Sequence, residues 1–481
     1  MSAFSQRIID LMKTSKNDVL ELVIGSFELS KIKAGQPAIG KDQVLYKVGR
    51  YDGVNWILEA GYPVQGRTFS DDEKMFDDVA YANGQKVDNA VIVRVDDSTP
   101  GNPDSYYVYN ENWERVAPGT VTNGMKTVVI GPDKNPYLTD GHHTLNTFSQ
   151  MKRGGFEDFK INLVVEANYS NLKDKNNNGS SMDEFWIEMA NSGNAWLKVL
   201  KENEPGYRYL NGVEGDQDEY MVHSVDLDRF KGQLPEEMKP EAFRNDPYRA
   251  IMNFTRGIAW EAPEGTKADG LPFLEFYWAE EIQNAIGDGN SALDVHTEAS
   301  PYNLSNLDSY VSAVQEISNW IINLDPDTII GTSVFTAREM GQKTEIDEGK
   351  LNSLIDSGKT LEASSSDEKD AVDVPSFGKL GYAWAQRNGG SEGNDRLTGL
   401  PGPDLFVLSP GNDVISDFRI GEDSISVAGT PDLRFRQTGE GLLISAGDDI
   451  HTLLLNVHRD AFLAHEPAHL HIIPAQDDNL I

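Results

Sequence analysis

Tyr137-Leu-Thr-Asp-Gly-His-His-Thr-Leu-Asn-Thr-Phe148 is the stretch on which the fold of this chain turns. An apolar run ends at Asp140, Gly141 breaks it, and two adjacent histidines follow. Leu145, Phe148 and Met151 then recur at helical spacing until Gly154-Gly155. The pattern predicts a strand, a turn and a helix with two imidazoles at the turn. The first N–H groups of such a helix have no partner within it and lie at the positive end of its dipole. Gly141 to Thr144 therefore offer a seat for a phosphate or carboxylate. The plainer alternative is a polar helix start, one ring capping backbone and the other in solvent.

Upstream, Thr127-Val-Val-Ile130 leads into a Gly-Pro-Asp-Lys-Asn turn, and downstream Phe159 to Val165 reads as another strand. Earlier still, Val19 to Ile24 is strand-like, and Phe27 to Ile32 approaches Gln36-Pro37. Residues 50 to 120, rich in aromatic, Asp, Asn and Gly residues, suggest strands joined by tight turns, either inserted beside the central sheet or forming its wall. Further on, Asp246 is a natural N-cap with Pro247 at the first helical position. Arg249, Lys267 and Glu275 are candidates to complete a site facing the histidines. Phe273, Phe276, Tyr277 and Trp278 read better as a helical layer packed on the sheet. Leu307 to Ile321 keeps helical spacing and carries no implied function.

Together these stretches resemble the ParB/sulfiredoxin fold, and more closely its divergent branch of ParB-like nucleases. There a Gly-x-His-Arg or Gly-Glu-Arg-Arg motif ends a strand and opens a phosphate-holding helix, and Gly141, His142, His143 and Thr144 stand at the matching positions. Gln36-Pro-Ala-Ile-Gly40, Asp183-Glu-Phe-Trp186, Arg244 to Arg249 and Phe273 to Trp278 also resemble that branch, which covers roughly residues 15 to 340. The departures are specific. Sulfiredoxin needs a cysteine where this chain has His142, and with no cysteine anywhere sulfinic-acid reduction is excluded. Thr144 replaces the phosphate-gripping arginine, so an anion would rely on helix N–H groups, His143 and Lys126 or Lys134.

The 481 residues suffice for two or three domains, and a hydrophobic fraction of 39% for real cores. A net charge of -35 disfavours nucleic acid, whose binding depends on counterion release by Lys and Arg, and anionic membranes. Such acidity without cysteine is expected of a protein that folds on meeting calcium outside the cell. No run approaches the ~18 apolar residues of a membrane span, and Met1 to Met12 lacks the apolar core of a signal peptide. Asp174-Lys-Asn-Asn-Asn-Gly179 opens like a calcium loop, but Glu184 falls one place early for the bidentate ligand, and Ser181-Met-Asp-Glu184 is better read as a capping box.

Residues 346 to 388, rich in Lys, Asp, Glu, Ser and Gly, read as an acidic polar linker with a helical turn at Leu351 to Ile355. A ninefold repeat then begins at Gly390. Gly393, Gly402 and Gly411 hold its fourth place, Asp395, Asp404 and Asp413 its sixth, and Leu397, Phe406 and Ile415 its eighth. Glycine permits the turn, aspartate offers oxygen to a hard cation, and the eighth residue points into the core of a parallel roll. The repeat resembles the RTX calcium-binding motif over residues 389 to 425. Residues 426 to 481 resemble the region such proteins present to a type I secretion machine, whose uncleaved C-terminal signal agrees with the missing N-terminal one. His465-Glu-Pro-Ala-His469 has the spacing of a zinc-protease motif, but Pro467 disfavours the helix that chemistry needs.

The expected architecture is an α+β ParB/sulfiredoxin-like domain with an added helical layer over residues 1 to 345. The linker, a short parallel β-roll and a β-rich C-terminal region follow. The expected function is that of an extracellular, calcium-binding bacterial protein whose first domain holds an anionic ligand. If it hydrolyses that ligand, His142 serves as base or metal ligand, His143 as phosphate contact and Asp140 as their orienting carboxylate, with Gly141, Thr144, Gln36, Arg249 and Lys267 lining the seat. The alternatives are a non-catalytic binding or effector module and a metal-dependent nuclease.

Overall fold

A computed structural model describes residues 23–52, 56–59, 62–65, 72–94, 106–150, 159–170, 172, 181–201, 208–210, 224–295, 300–302, 304, 307–361, 374–389, 396–397, 405–409, 411–428, 432–447 and 449–473. The chain divides into two compact units. One comprises Met1–Val44, Asp72–Gly287 and Ile321–Thr344, the other Leu45–Asp71, Asp288–Trp320 and Glu345–Ile481.

The first unit is built on β1 (Val23–Glu28), and β2 (Ala38–Ile39) leads to helix α1 (Lys41–Asp52), which runs on into the second unit. There β3 (Trp56–Glu59) and β4 (Tyr62–Gln65) form a hairpin. Back in the first unit come α2 (Asp72–Ala82) and the hairpin β5 (Val91–Arg94) and β6 (Tyr106–Tyr109). After β7 (Thr127–Ile130) and β8 (Pro136–Asp140), helix α3 (His142–Ser149) precedes β9 (Lys160–Asn168). The central sheet has the order β1-β9-β7-β8, with β7 parallel to β9 and the other pairs antiparallel. Leu145 and Phe148 bury one face of α3, and Phe148 stacks on Phe159 at 5.4 Å. Met151, the third member of that stripe, lies outside the described residues.

The rest of this unit is mainly helical: α4 (Ser181–Asn191), β10 (Val199–Lys201), β11 (Arg208–Leu210), α5 (Ser224–Gln233), β12 (Arg244–Asn245), α6 (Pro247–Thr255) and α7 (Leu274–Gly287). Phe185, Trp186 and Met189 of α4 close over Tyr137 and Phe230 in one apolar cluster, which binds the helical layer to the strand before the histidines. A helix does follow that stretch, beginning at Ser181, while the Asp174–Gly179 loop lies outside the described residues. Phe276, Tyr277 and Trp278 are buried, as expected of a packing layer. Helix α8 (Leu307–Asn323) belongs to the second unit up to Trp320.

In the second unit, the segment read as a linker carries α9 (Glu348–Asn352), a hairpin of β13 (Asp356–Leu361) and β14 (Val374–Phe377), and α10 (Lys379–Gly389). Its polar composition conceals Leu351, Leu354, Leu380, Tyr382 and Trp384, all buried, and these supply the packing that orders it. Then come β15 (Arg396–Leu397), β16 (Leu405–Val407), β17 (Gly411–Ile415), β18 (Ser424–Ala428), β19 (Leu433–Gln437), β20 (Gly441–Ala446), β21 (Ile450–Leu455), α11 (Arg459–His469) and β22 (Leu470–Ile473). They form sheets of order β15-β17-β21-β20-β19 and β16-β18-β22. Leu397, Phe406 and Ile415 are fully buried in one core with Phe462. Helix α11 continues through Pro467, against expectation: Phe462 anchors it in the core, and packing outweighs the one backbone hydrogen bond that a proline removes.

Candidate functional site

Gly141 lies in the left-handed region at φ 108°, where a side chain would be strained and would also meet the stem of Lys126. The glycine lets β8 turn directly into α3. This delivers both imidazoles toward Gly35-Gln-Pro-Ala-Ile-Gly40. The backbone N–H of Gly35 donates to Nε2 of His142 at 2.9 Å, and that of Gly40 donates to Nε2 of His143 at 3.0 Å. Both rings are buried. Accepting at Nε2 puts the proton of a neutral ring on Nδ1. Burial pushes the His142 pKa down to about 3, against a smaller opposing pull from Asp140. A general base needs its lone pair free to face a proton of water or substrate, and these two are spent on loop amides.

The same loop is gripped from its other side. Ala38 and Ile39 of β2 pair with Arg244 and Asn245 of β12, and the N–H of Asp246 donates to the Ile39 carbonyl at 2.8 Å. Asp246 caps α6 through the N–H of Arg249, and burial raises its pKa to about 6 despite that bond and the Arg249 charge. Arg249 is itself buried, donating from Nη1 to Gln43 at 2.9 Å, with Nη2 3.6 Å from Glu275 and its guanidinium 5.3 Å from the Phe276 ring centre.

The remaining candidates divide by location. Gln36 is buried and donates to the Ala38 carbonyl within its own loop. Asp140 is exposed and pairs with Lys126 at 3.0 Å, so the Lys126 stem crosses Gly141 with its charge held beside the first turn of α3. Thr144 is half-buried. Lys267 is exposed and bound to Glu339 at 2.5 Å, committing that ammonium to another partner. In the repeats, Asp413 is buried and accepts from the Ser409 hydroxyl, and Gly411 begins β17. Asp395, Asp404, Gly393 and Gly402 lie outside the described residues.

One feature escaped the sequence reading. Lys198, fully buried, donates to both oxygens of Glu280 at 2.6 and 2.7 Å and contacts the Thr332 hydroxyl, with Trp196 and Tyr277 facing its ammonium. Only the apolar neighbours Ala195, Trp196 and Leu197 hinted at its burial.

Residues 26–210 match the family described as "Putative ParB-like nuclease". That stretch is a ParB-like domain, and it contains the Gly141 turn and both histidines. Among solved structures, protein Atu1540 from Agrobacterium tumefaciens aligns over 63% of this chain and 92% of its own, at 15% identity and a TM-score of 0.30. A likeness of that degree carries no functional argument. No curated protein matches the chain.

Proposed function

We propose that this is an exported calcium-binding protein whose ParB-like domain captures a phosphate-bearing or other anionic ligand at the Gly141 turn without turning it over. The observation that carries binding over hydrolysis is the use of both imidazole Nε2 atoms as acceptors for Gly35 and Gly40. The anion's seat is the first turn of α3, where Lys126, whose stem crosses Gly141, would have to exchange its Asp140 partner for the ligand. In that role His142 and His143 hold the facing loop still, and ligand contact passes to the helix N–H groups.

Support for calcium comes from the strand pairing. Leu397 lies beside Ile415 in parallel strands, which is a step of two nine-residue repeats, and the eighth-place residues share one core. By their places in the repeat, Asp395, Asp404 and Asp413 would supply carboxylate oxygens to Ca2+, and Gly393, Gly402 and Gly411 the turn positions. Export through a type I machine fits the same repeats.

Calorimetric titration of the calcium-loaded chain with nucleotides and inorganic phosphate, followed by chromatography of each mixture, tests the reading. Binding without product is the expected result. Product formation would restore the hydrolase, including the nuclease that the family description names. Absence of binding across the panel would remove the anion seat.

A further inference from the structure

The hairpin of β5 and β6 buries Tyr106 and Val108 and turns its other face outward. On that face Val91 stands opposite Tyr109 and Val93 opposite Tyr107. Arg115 bridges to Tyr109 from the far side, and its guanidinium lies 4.0 Å over the ring of Tyr107. Val91 and Val93 are exposed, and Trp113 is 68% exposed, its ring 5.9 Å from that of Tyr109.

Trp113 is not exposed through slackness of the chain. Its backbone sits at φ 62°, a region that a bulky residue enters at a cost. The turn that imposes this is locked by Asn110, whose side-chain oxygen accepts the N–H groups of Asn112 and Glu114 at 3.0 and 2.9 Å. The Asn110 carbonyl accepts the N–H of Trp113 itself. Local structure thus spends strain to hold an indole in water beside a tyrosine.

Charge selects the occupant. Glu111 and Glu114 flank Trp113 and are exposed. Among the described residues of 88–115, Asp88, Glu111 and Glu114 stand against Arg94 and Arg115, within a chain of net charge -35. Such a field steers cations in and phosphates away. The face already holds one guanidinium on a tyrosine, that of Arg115.

We propose that this face is a docking site for a cationic, arginine-bearing peptide segment of a partner protein. One partner guanidinium seats on Trp113 and Tyr109 and pairs with Glu111 and Glu114, while the peptide's smaller side chains cover Val91 and Val93.

The test is fluorescence anisotropy of a dye-labelled peptide alternating arginine and threonine, titrated with the full chain at physiological salt. A peptide with glutamine for arginine is the control. Trp113→Ala leaves the net charge untouched, so general attraction to an acidic protein would survive it. Loss of the cation–π contact instead weakens binding roughly three- to thirty-fold. Glu111→Gln with Glu114→Gln should weaken binding further and flatten its salt dependence, and thermal melts should show both variants folded. Equal binding by Trp113→Ala and the unaltered chain would overturn the proposal, as would equal binding of the glutamine peptide. Displacement of the peptide by a neutral hexose oligosaccharide would also overturn it, assigning the aromatic face to a glycan.

Discussion

His142 shows how a residue whose type suggests chemistry can be used for architecture. Its ring fills a buried space and accepts a buried N–H, so His142→Ala leaves both a cavity and an unpaired donor. The expected cost is about 3 kcal/mol, read from urea unfolding at neutral pH. The cost should depend on pH in a direction fixed by the lowered pKa. In the unfolded chain the ring takes up a proton below its ordinary 6.5, while in the folded chain it resists down to about 3. Its contribution is complete above 6.5 and is lost as the pH falls from there toward 3. The gap between the unaltered protein and His142→Ala should therefore shrink by about 1.4 kcal/mol per pH unit below 6.5, close after roughly two units, and reverse in sign as the pH approaches 3. Asp246 shifts in the opposite sense, being protonated more readily when folded, but it is present in both proteins and cancels. A gap that does not vary with pH would mean that the ring is not held neutral. Lys198 is likewise coupled to one buried partner. Lys198→Met strands the buried Glu280 carboxylate and should cost about 3–5 kcal/mol, whereas adding Glu280→Gln should restore most of it. A double variant no better than the single one would show that the pair is not energetically coupled.

At the scale of elements, the turn from β8 into α3 is set by one backbone angle. Gly141→Ala forces a methyl group into left-handed backbone and against the Lys126 stem, and should destabilise by about 2 kcal/mol in thermal or denaturant unfolding. If the melting curve is unchanged, the turn does not require glycine. This turn was legible from residue order because strand, glycine and amphipathic helix are local patterns. The partners of the histidines were not, since Gly35 and Gly40 lie 107 and 103 residues away and nothing near either end announces the other. The linker failed for another reason: five buried apolar residues were diluted by polar neighbours, so composition hid an ordered pair of helices and a hairpin. Pro467 failed because a single-residue rule was set against the anchoring of Phe462.

For the whole molecule, the repulsion within a net charge of -35 makes stability depend on cations. If the repeats hold calcium, removing it with a chelator should lower the melting temperature, and calcium at 100 times its dissociation constant should return about 2.7 kcal/mol. Asp413→Ala should blunt that recovery, and an identical response to the chelator in both proteins would detach Asp413 from the effect. Burial of Leu397, Phe406 and Ile415 in one core shows how far a nine-residue period carries from sequence to tertiary structure. The division into two interleaved units had no such signal, because the chain leaves the first unit and returns to it with no break in composition.

The grip on residues 35–40 also sets a timetable. Lys41 bonds to Asn245 across 204 positions, and Gln43 to Arg249 across 206. A chain emerging from the ribosome can close the histidine contacts to Gly35 and Gly40 once His143 is out, but the pairing of β2 with β12 and these two bonds must wait until Arg249 has been made. The last packing of the first unit thus rests on contacts between residues some two hundred positions apart, the kind whose loop-closure cost slows folding.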